Sequence, residues 1–203
     1  MNLPNAITLF RIFMIPIFVT VLLTEIPNRE IWGVVVFLIA SISDVLDGFL
    51  ARRRRQVTTI GILLDPLADK LLISAAFISL VQLHLAPAWI VVIIIGREFA
   101  VTGLRNLASS EGLTIRASRL GKTKMVFQVI AVCLILFGAR YGGFWRLLGQ
   151  ASLWLVLVVA VWSMIHYFYR FWGTIERQRK KRIHQRKKLF KIKKKQRLQG
   201  ESQ

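Results

Sequence analysis

Four aspartates, Asp44, Asp47, Asp65 and Asp69, fall within 26 residues of an otherwise membrane-like run, "SDVLDGFLARRRRQVTTIGILLDPLADK". A charged side chain at the centre of a bilayer helix costs at least ~2.5 kcal/mol on insertion scales, so each of the four is a candidate for chemistry. At about 100° per residue, Asp44 and Asp47 stand ~60° apart on one helix, and Asp65 and Asp69 ~40° apart on the next. Each pair therefore projects from one face. Gly48 and Ala51 share the first face and Gly61 the second. Small residues let helices approach closely, and beside clustered carboxylates they also leave room for a ligand. Four facing carboxylates repel in a low dielectric unless some are protonated or cations lie between them. Hard divalent ions suit an all-aspartate oxygen site, Mg²⁺ foremost, with one ion or a bridged pair as the arrangement expected for displacement at phosphorus.

The elements that position these acids are read from hydropathy. The chain has 203 residues, 55% hydrophobic and 19% charged, with a mean hydropathy of +0.53, which is too apolar for an ordinary water-soluble domain. Apolar segments near 7–25, 31–51, 60–83, 86–105, 124–139 and 149–172 predict an all-α integral membrane protein, a six-transmembrane-helix bundle. That bundle is expected to occupy residues 1–175, with a polybasic tail over 176–203. The connection at 52–59 is short enough to make the second and third segments antiparallel neighbours. No basic stretch precedes the first apolar run and no cleavage site follows it, so this segment is expected to stay as an anchor. The lone Cys133 reads as a small apolar residue.

The net charge of +19 is unevenly placed. From Glu176 to Glu201 there are 13 Lys or Arg against two Glu, a net of +11. Arg52 to Arg55 follow segment two, and Arg116, Arg119, Lys122 and Lys124 lie between segments four and five. The alternate loops hold only Arg29, Arg140 and Arg146, so the positive-inside rule puts both termini in the cytoplasm. The tail directly follows a span, where anionic lipid attracts each cation by about 1 kcal/mol. Lipid contact and topology are its expected roles, and nucleic acid binding is not expected.

The residues Asp44-x-x-Asp47-Gly48-x-x-Ala51-Arg52, eight further residues, then Gly61-x-x-x-Asp65-x-x-x-Asp69 resemble in full the motif of the CDP-alcohol phosphotransferase family. "MNLPNAITLFRIFMIPIF" at the start, "GREFAVTGLR" at 96–105 and "GKTKMVFQ" at 121–128 are similar to its bacterial phosphatidylglycerophosphate synthase branch. The resemblance covers nearly all of the chain before the tail. It implies phosphatidyl transfer from CDP-diacylglycerol to sn-glycerol 3-phosphate, giving phosphatidylglycerol phosphate and CMP. It also implies a multi-pass protein of the cell (inner) membrane with its active site facing the cytoplasm, commonly homodimeric.

The resemblance assigns Asp44, Asp47 and Asp65 to divalent ions, Mg²⁺ or in its place Mn²⁺. Asp69 lies at the same metals and is the proposed base for the acceptor hydroxyl. Gly48, Ala51, Arg52, Thr58 and Gly61 occupy the family's CDP-binding positions, where Arg52 supplies a charge-assisted phosphate contact and the glycines permit close approach. Asn5, Thr8 and Arg11 recur on one helical side and are candidates to reach the nucleotide, although capping or snorkelling accounts equally for Asn5 and Thr8. The acceptor's own phosphate needs cations, for which Arg105, Arg116, Arg119, Lys122 and Lys124 are candidates. Arg97 and Glu98 are expected to pair with each other. His84, His166 and His184 show no metal-binding spacing.

Two other readings compete. The same chemistry could serve inositol phosphate, serine or a phosphatidylglycerol as acceptor. A divalent-cation transporter could use intramembrane aspartates, but its acids should line a path across the membrane, whereas these lie near one side beside four arginines.

Overall fold

The computed structural model describes the backbone of residues 3–54, 59–110 and 120–200, and the side chains of 6–43, 64, 66–110, 124–169, 171–173 and 176. Among the described residues every regular element is helical: α1 (Leu3–Leu23), α2 (Arg29–Arg54), α3 (Thr59–Gln82), α4 (Ala88–Ser110), α5 (Leu120–Tyr141) and α6 (Gly143–Gly200). Thr58, Arg116 and Arg119 lie outside the described residues.

Local chemistry sets the helix ends. After α1, Asn28 takes a left-handed φ of 57° and its carbonyl accepts the amides of Ile31 and Trp32. At the end of α3, His84 has φ 58°, its amide bonds Val81 and that of Leu85 bonds Leu80. This is a Schellman closure with histidine where glycine is usual. Pro87 cannot continue a helix, and its carbonyl instead receives Ile90 and Val91 to open α4. Pro16 and Pro66 sit inside α1 and α3, and each removes one helical hydrogen bond.

The chain forms two compact units, residues 1–100 with 117–162, and 101–116 with 163–203. In the first, α1 packs on α2 and α3, and α2 and α3 pack on α5. All six helices feed its core, including Phe18, Phe37, Phe77, Ile94, Leu136 and Leu153. The Phe18 and Phe37 rings lie 5.4 Å apart. In the second, Leu104 packs against Ala108 and Phe171.

Between α5 and α6 only Gly142 is non-helical, and Gly142 and Gly143 both have positive φ. This turn brings backbone onto backbone: a Cβ added at Gly138 would lie 2.8 Å from the Arg146 Cα, and one at Gly149 3.0 Å from the Ile135 Cα. Without a solvent contrast to drive association, such close van der Waals approach holds membrane helices together.

Among the described residues, many large apolar side chains lie on the exterior. Phe13, Val92, Val158, Trp162 and Tyr169 are all largely exposed, which suits a lipid surround. Among the described residues, three helical stretches are long and apolar enough to cross a membrane: Ala6–Leu23, Lys124–Tyr141 and Gly143–Gly173. The protein is a helical membrane protein. α6 begins six residues earlier than hydropathy predicts and stays helical through the basic tail to Gly200.

Candidate active site

The two acidic pairs lie at one depth. Asp47 precedes the end of α2 at Arg54 by seven residues and Asp65 follows the start of α3 at Thr59 by six, about 10 Å along each antiparallel helix. Positions 44, 47 and 51 extend the helical stripe occupied by the buried Val34, Phe37, Ala40 and Ser41, and position 65 extends that of Ala68, Leu72, Ala76 and Leu80. Ser41 is buried with its hydroxyl unbonded among the described residues, one turn before position 44.

Asp69 is the aspartate of the four whose side chain is described. It is met by Arg11 from α1, whose Nη1 donates to Oδ1 at 2.5 Å. Arg11 is fully buried while the Asp69 side chain keeps 29% of its exposure, so the arginine covers the carboxylate only in part. Thr8, one turn before Arg11, is also fully buried. The helical side carrying Thr8 and Arg11 thus turns into the bundle, and Arg11 is seated by an ion pair within it.

Other site residues fall as follows. Asn5, Gly48, Ala51, Arg52 and Gly61 lie on α1, α2 and α3, and Lys122 on α5. Lys124 is half-buried on α5 in the first unit, and Arg105 is exposed on the α4 portion of the second. Among the described residues no group of three or more potential metal ligands gathers. The donor set still fits a hard divalent ion: one carboxylate is already balanced by Arg11, and three more lie on α2 and α3 at the same depth, with small residues beside them in the sequence.

A second polar cluster lies between α4 and α5. Arg97, 3% exposed, donates to the Glu98 carboxylate, and the Gln128 amide reaches the same carboxylate at 3.5 Å. The Arg97–Glu98 pairing matches the sequence expectation. Gln128 escapes it, although a polar residue inside "VFQVIAVC" is a signal of the same kind as the aspartates.

A cavity of about 330 Å³ lined by Arg29, His84, Arg146 and Gln150 opens at the opposite end, by the α1–α2 and α3–α4 connections. It stands about 20 Å along α3 from Asp69 and takes no part in the site.

The arrangement has counterparts among known proteins. A family model described as CDP-alcohol phosphatidyltransferase matches residues 1–162. A Bacillus subtilis (strain 168) protein named CDP-diacylglycerol–glycerol-3-phosphate 3-phosphatidyltransferase is 43% identical over 188 residues, covering 86% of this chain and 97% of its own length. Proteins of the same name are similar in Pseudomonas fluorescens, 37% identical over 200 residues with 94% and 98% covered, and in Haemophilus influenzae, 34% over 179 residues with 86% and 95% covered.

Proposed function

The chain belongs to the CDP-alcohol phosphatidyltransferase family, and from that membership we propose that it transfers the phosphatidyl group of CDP-diacylglycerol to sn-glycerol 3-phosphate. The products are phosphatidylglycerol phosphate and CMP. The observation that carries this reading is the complete eight-position motif from Asp44 to Asp69, laid on two antiparallel helices with both acidic pairs at one depth, in a chain similar over nearly its whole length to enzymes named for that reaction.

Asp44, Asp47, Asp65 and Asp69 would hold Mg²⁺, with Mn²⁺ as a substitute. When bound, the ion supplies charge neutralisation at the diphosphate and at the departing CMP. Asp69 takes the proton of the acceptor hydroxyl, whose oxygen bonds to the phosphorus carrying diacylglycerol as the bond from that phosphorus to the CMP oxygen breaks. Arg11 orients the Asp69 carboxylate. Arg52 pairs with the diphosphate, with Asn5, Thr8, Gly48, Ala51, Thr58 and Gly61 shaping the nucleotide site. Cations from Arg105, Arg116, Arg119, Lys122 and Lys124 hold the acceptor's phosphate.

In this reading residues 1–175 form a six-span catalytic bundle in the cell membrane, with both termini and the site on the cytoplasmic side. The tail over 176–203 contacts anionic lipid, and the enzyme works as a homodimer. The acceptor is tested by incubating purified protein with CDP-diacylglycerol, Mg²⁺ and, in turn, glycerol 3-phosphate, inositol phosphate, serine or phosphatidylglycerol. CMP release is expected with glycerol 3-phosphate. Its absence there, with release on another acceptor, overturns the choice.

A further inference from the structure

We propose that Glu98 and Gln128 act as an interhelical latch that sets the rotation of α5 and thereby presents Lys124 to the acceptor's phosphate. This rests on the reading that the acceptor is glycerol 3-phosphate.

The cluster is costly where it stands. Arg97 and Glu98 are both ionisable within an apolar helix of a membrane protein, and Arg97 is 3% exposed. Their mutual ion pair accounts for α4 alone. It does not require Gln128, which comes from α5 at 6% exposure and turns its amide to the same carboxylate at 3.5 Å. Apolar packing would join these helices without burying a charge. What a polar contact adds is direction, because an amide meeting a carboxylate fixes which face of α5 looks inward.

That face leads to Lys124. Gln128, Ala131, Val132, Ile135 and Leu136 form the buried stripe of α5. Lys124 is half-buried and lies one turn before Gln128 on the same stripe. Helical side chains lean toward the N-terminus, so the Lys124 ammonium is carried away from the Gly142 turn. The residues lining the 330 Å³ cavity place that turn with the α3–α4 connection, at the end remote from the aspartates. Along α5, Lys124 is 14 residues from Gly138, and along α3 Asp69 is 13 from Gln82, about 20 Å in both cases. Lys124 therefore stands at the depth of Asp69, on an inward stripe fixed one turn away by Glu98.

The test uses the full chain in detergent micelles, with steady-state kinetics at varied glycerol 3-phosphate and saturating CDP-diacylglycerol, then the reverse. Glu98→Gln is expected to raise KM for glycerol 3-phosphate about tenfold, with kcat and KM for CDP-diacylglycerol close to wild type. Exchanging the partners, as Glu98→Gln with Gln128→Glu, should recover much of that KM, which a loss of general packing would not allow. Should Glu98→Gln fail to fold, Gln128→Leu keeps α5 apolar and the Arg97–Glu98 pair intact, and carries the same expectation. Adding Lys124→Met to either single variant should raise KM little further, since both act through one contact. An acceptor KM unmoved in both variants, or equal loss for both substrates, overturns the latch while the acceptor reading stands. If the wild-type protein releases no CMP with glycerol 3-phosphate, the acceptor reading fails and the latch fails with it.

Discussion

Replacing Asp69 by asparagine separates two roles that fall to one carboxylate, partner to Arg11 and proposed base. It keeps shape and removes the charge that Arg11 meets at 2.5 Å. Two unit charges 4 Å apart attract by about 4 kcal/mol at an effective dielectric near 20. Breaking a buried pair typically costs about 3–5 kcal/mol, because the surviving charge stays buried with that attraction removed. Arg11 is fully buried but Asp69 retains 29% exposure, so water softens the effect and about 3 kcal/mol is the expected loss. At about 2–4 °C per kcal/mol for a chain of this size, the unfolding midpoint should fall by about 6–12 °C. Removal of the base should independently lower turnover by at least about a hundredfold. Thermal unfolding in detergent and CMP release under an Mg²⁺ titration measure the two. The discriminating comparison is with the double variant Arg11→Met, Asp69→Asn. With both charges gone, much of the midpoint should return while turnover stays lost. If the stability losses add to within about 0.5 kcal/mol, the pair is not coupled. If Asp69→Asn turns over within about tenfold of wild type at saturating Mg²⁺, Asp69 is not the base.

Three further outcomes are expected. Gly149→Val, whose first added carbon would meet the α5 backbone at 3.0 Å, should destabilise by about 1–3 kcal/mol. Gly103→Ala, where an added Cβ meets nothing within 4 Å, should cost less, so the reverse order in unfolding midpoints would refute the close α5–α6 contact. Chelation of divalent ions should abolish CMP release and Mg²⁺ should restore it; activity surviving exhaustive chelation would remove the metal from the reading. Ending the chain at Glu176 should abolish salt-sensitive retention of anionic lipid through purification, read by phosphate analysis, and an unchanged lipid content would dismiss the tail's proposed role.

The acidic faces are legible in sequence because their signal is local: two carboxylates three or four residues apart must share a helical side, and an apolar surround makes them costly. Partnerships between helices are not local. Arg11 stands out as a cation before a long apolar run, but nothing in its spacing names Asp69, 58 residues on. Gln128 is missed for the same reason, since its meaning depends on Glu98 of the preceding helix. Helix ends are misjudged where hydropathy stands in for capping. α6 starts at Gly143 because Gly142 makes the turn, and it runs on through Lys and Arg because these are good helix formers.

The contact between Glu98 and Gln128 has a consequence for how the chain is made. The carboxylate on α4 leaves the ribosome 30 residues before the amide that meets it, about 2–6 s at ordinary elongation rates. During that interval the Arg97–Glu98 pair on α4 lacks the amide of Gln128, and neither charge is welcome in free lipid. If the latch matters during insertion, a nascent chain halted after α4 but not α5 has left the ribosome should hold α4 beside the insertion machinery, where crosslinking would find it. The membrane receives α4 and α5 as a pair, and the latch closes as the protein is being born.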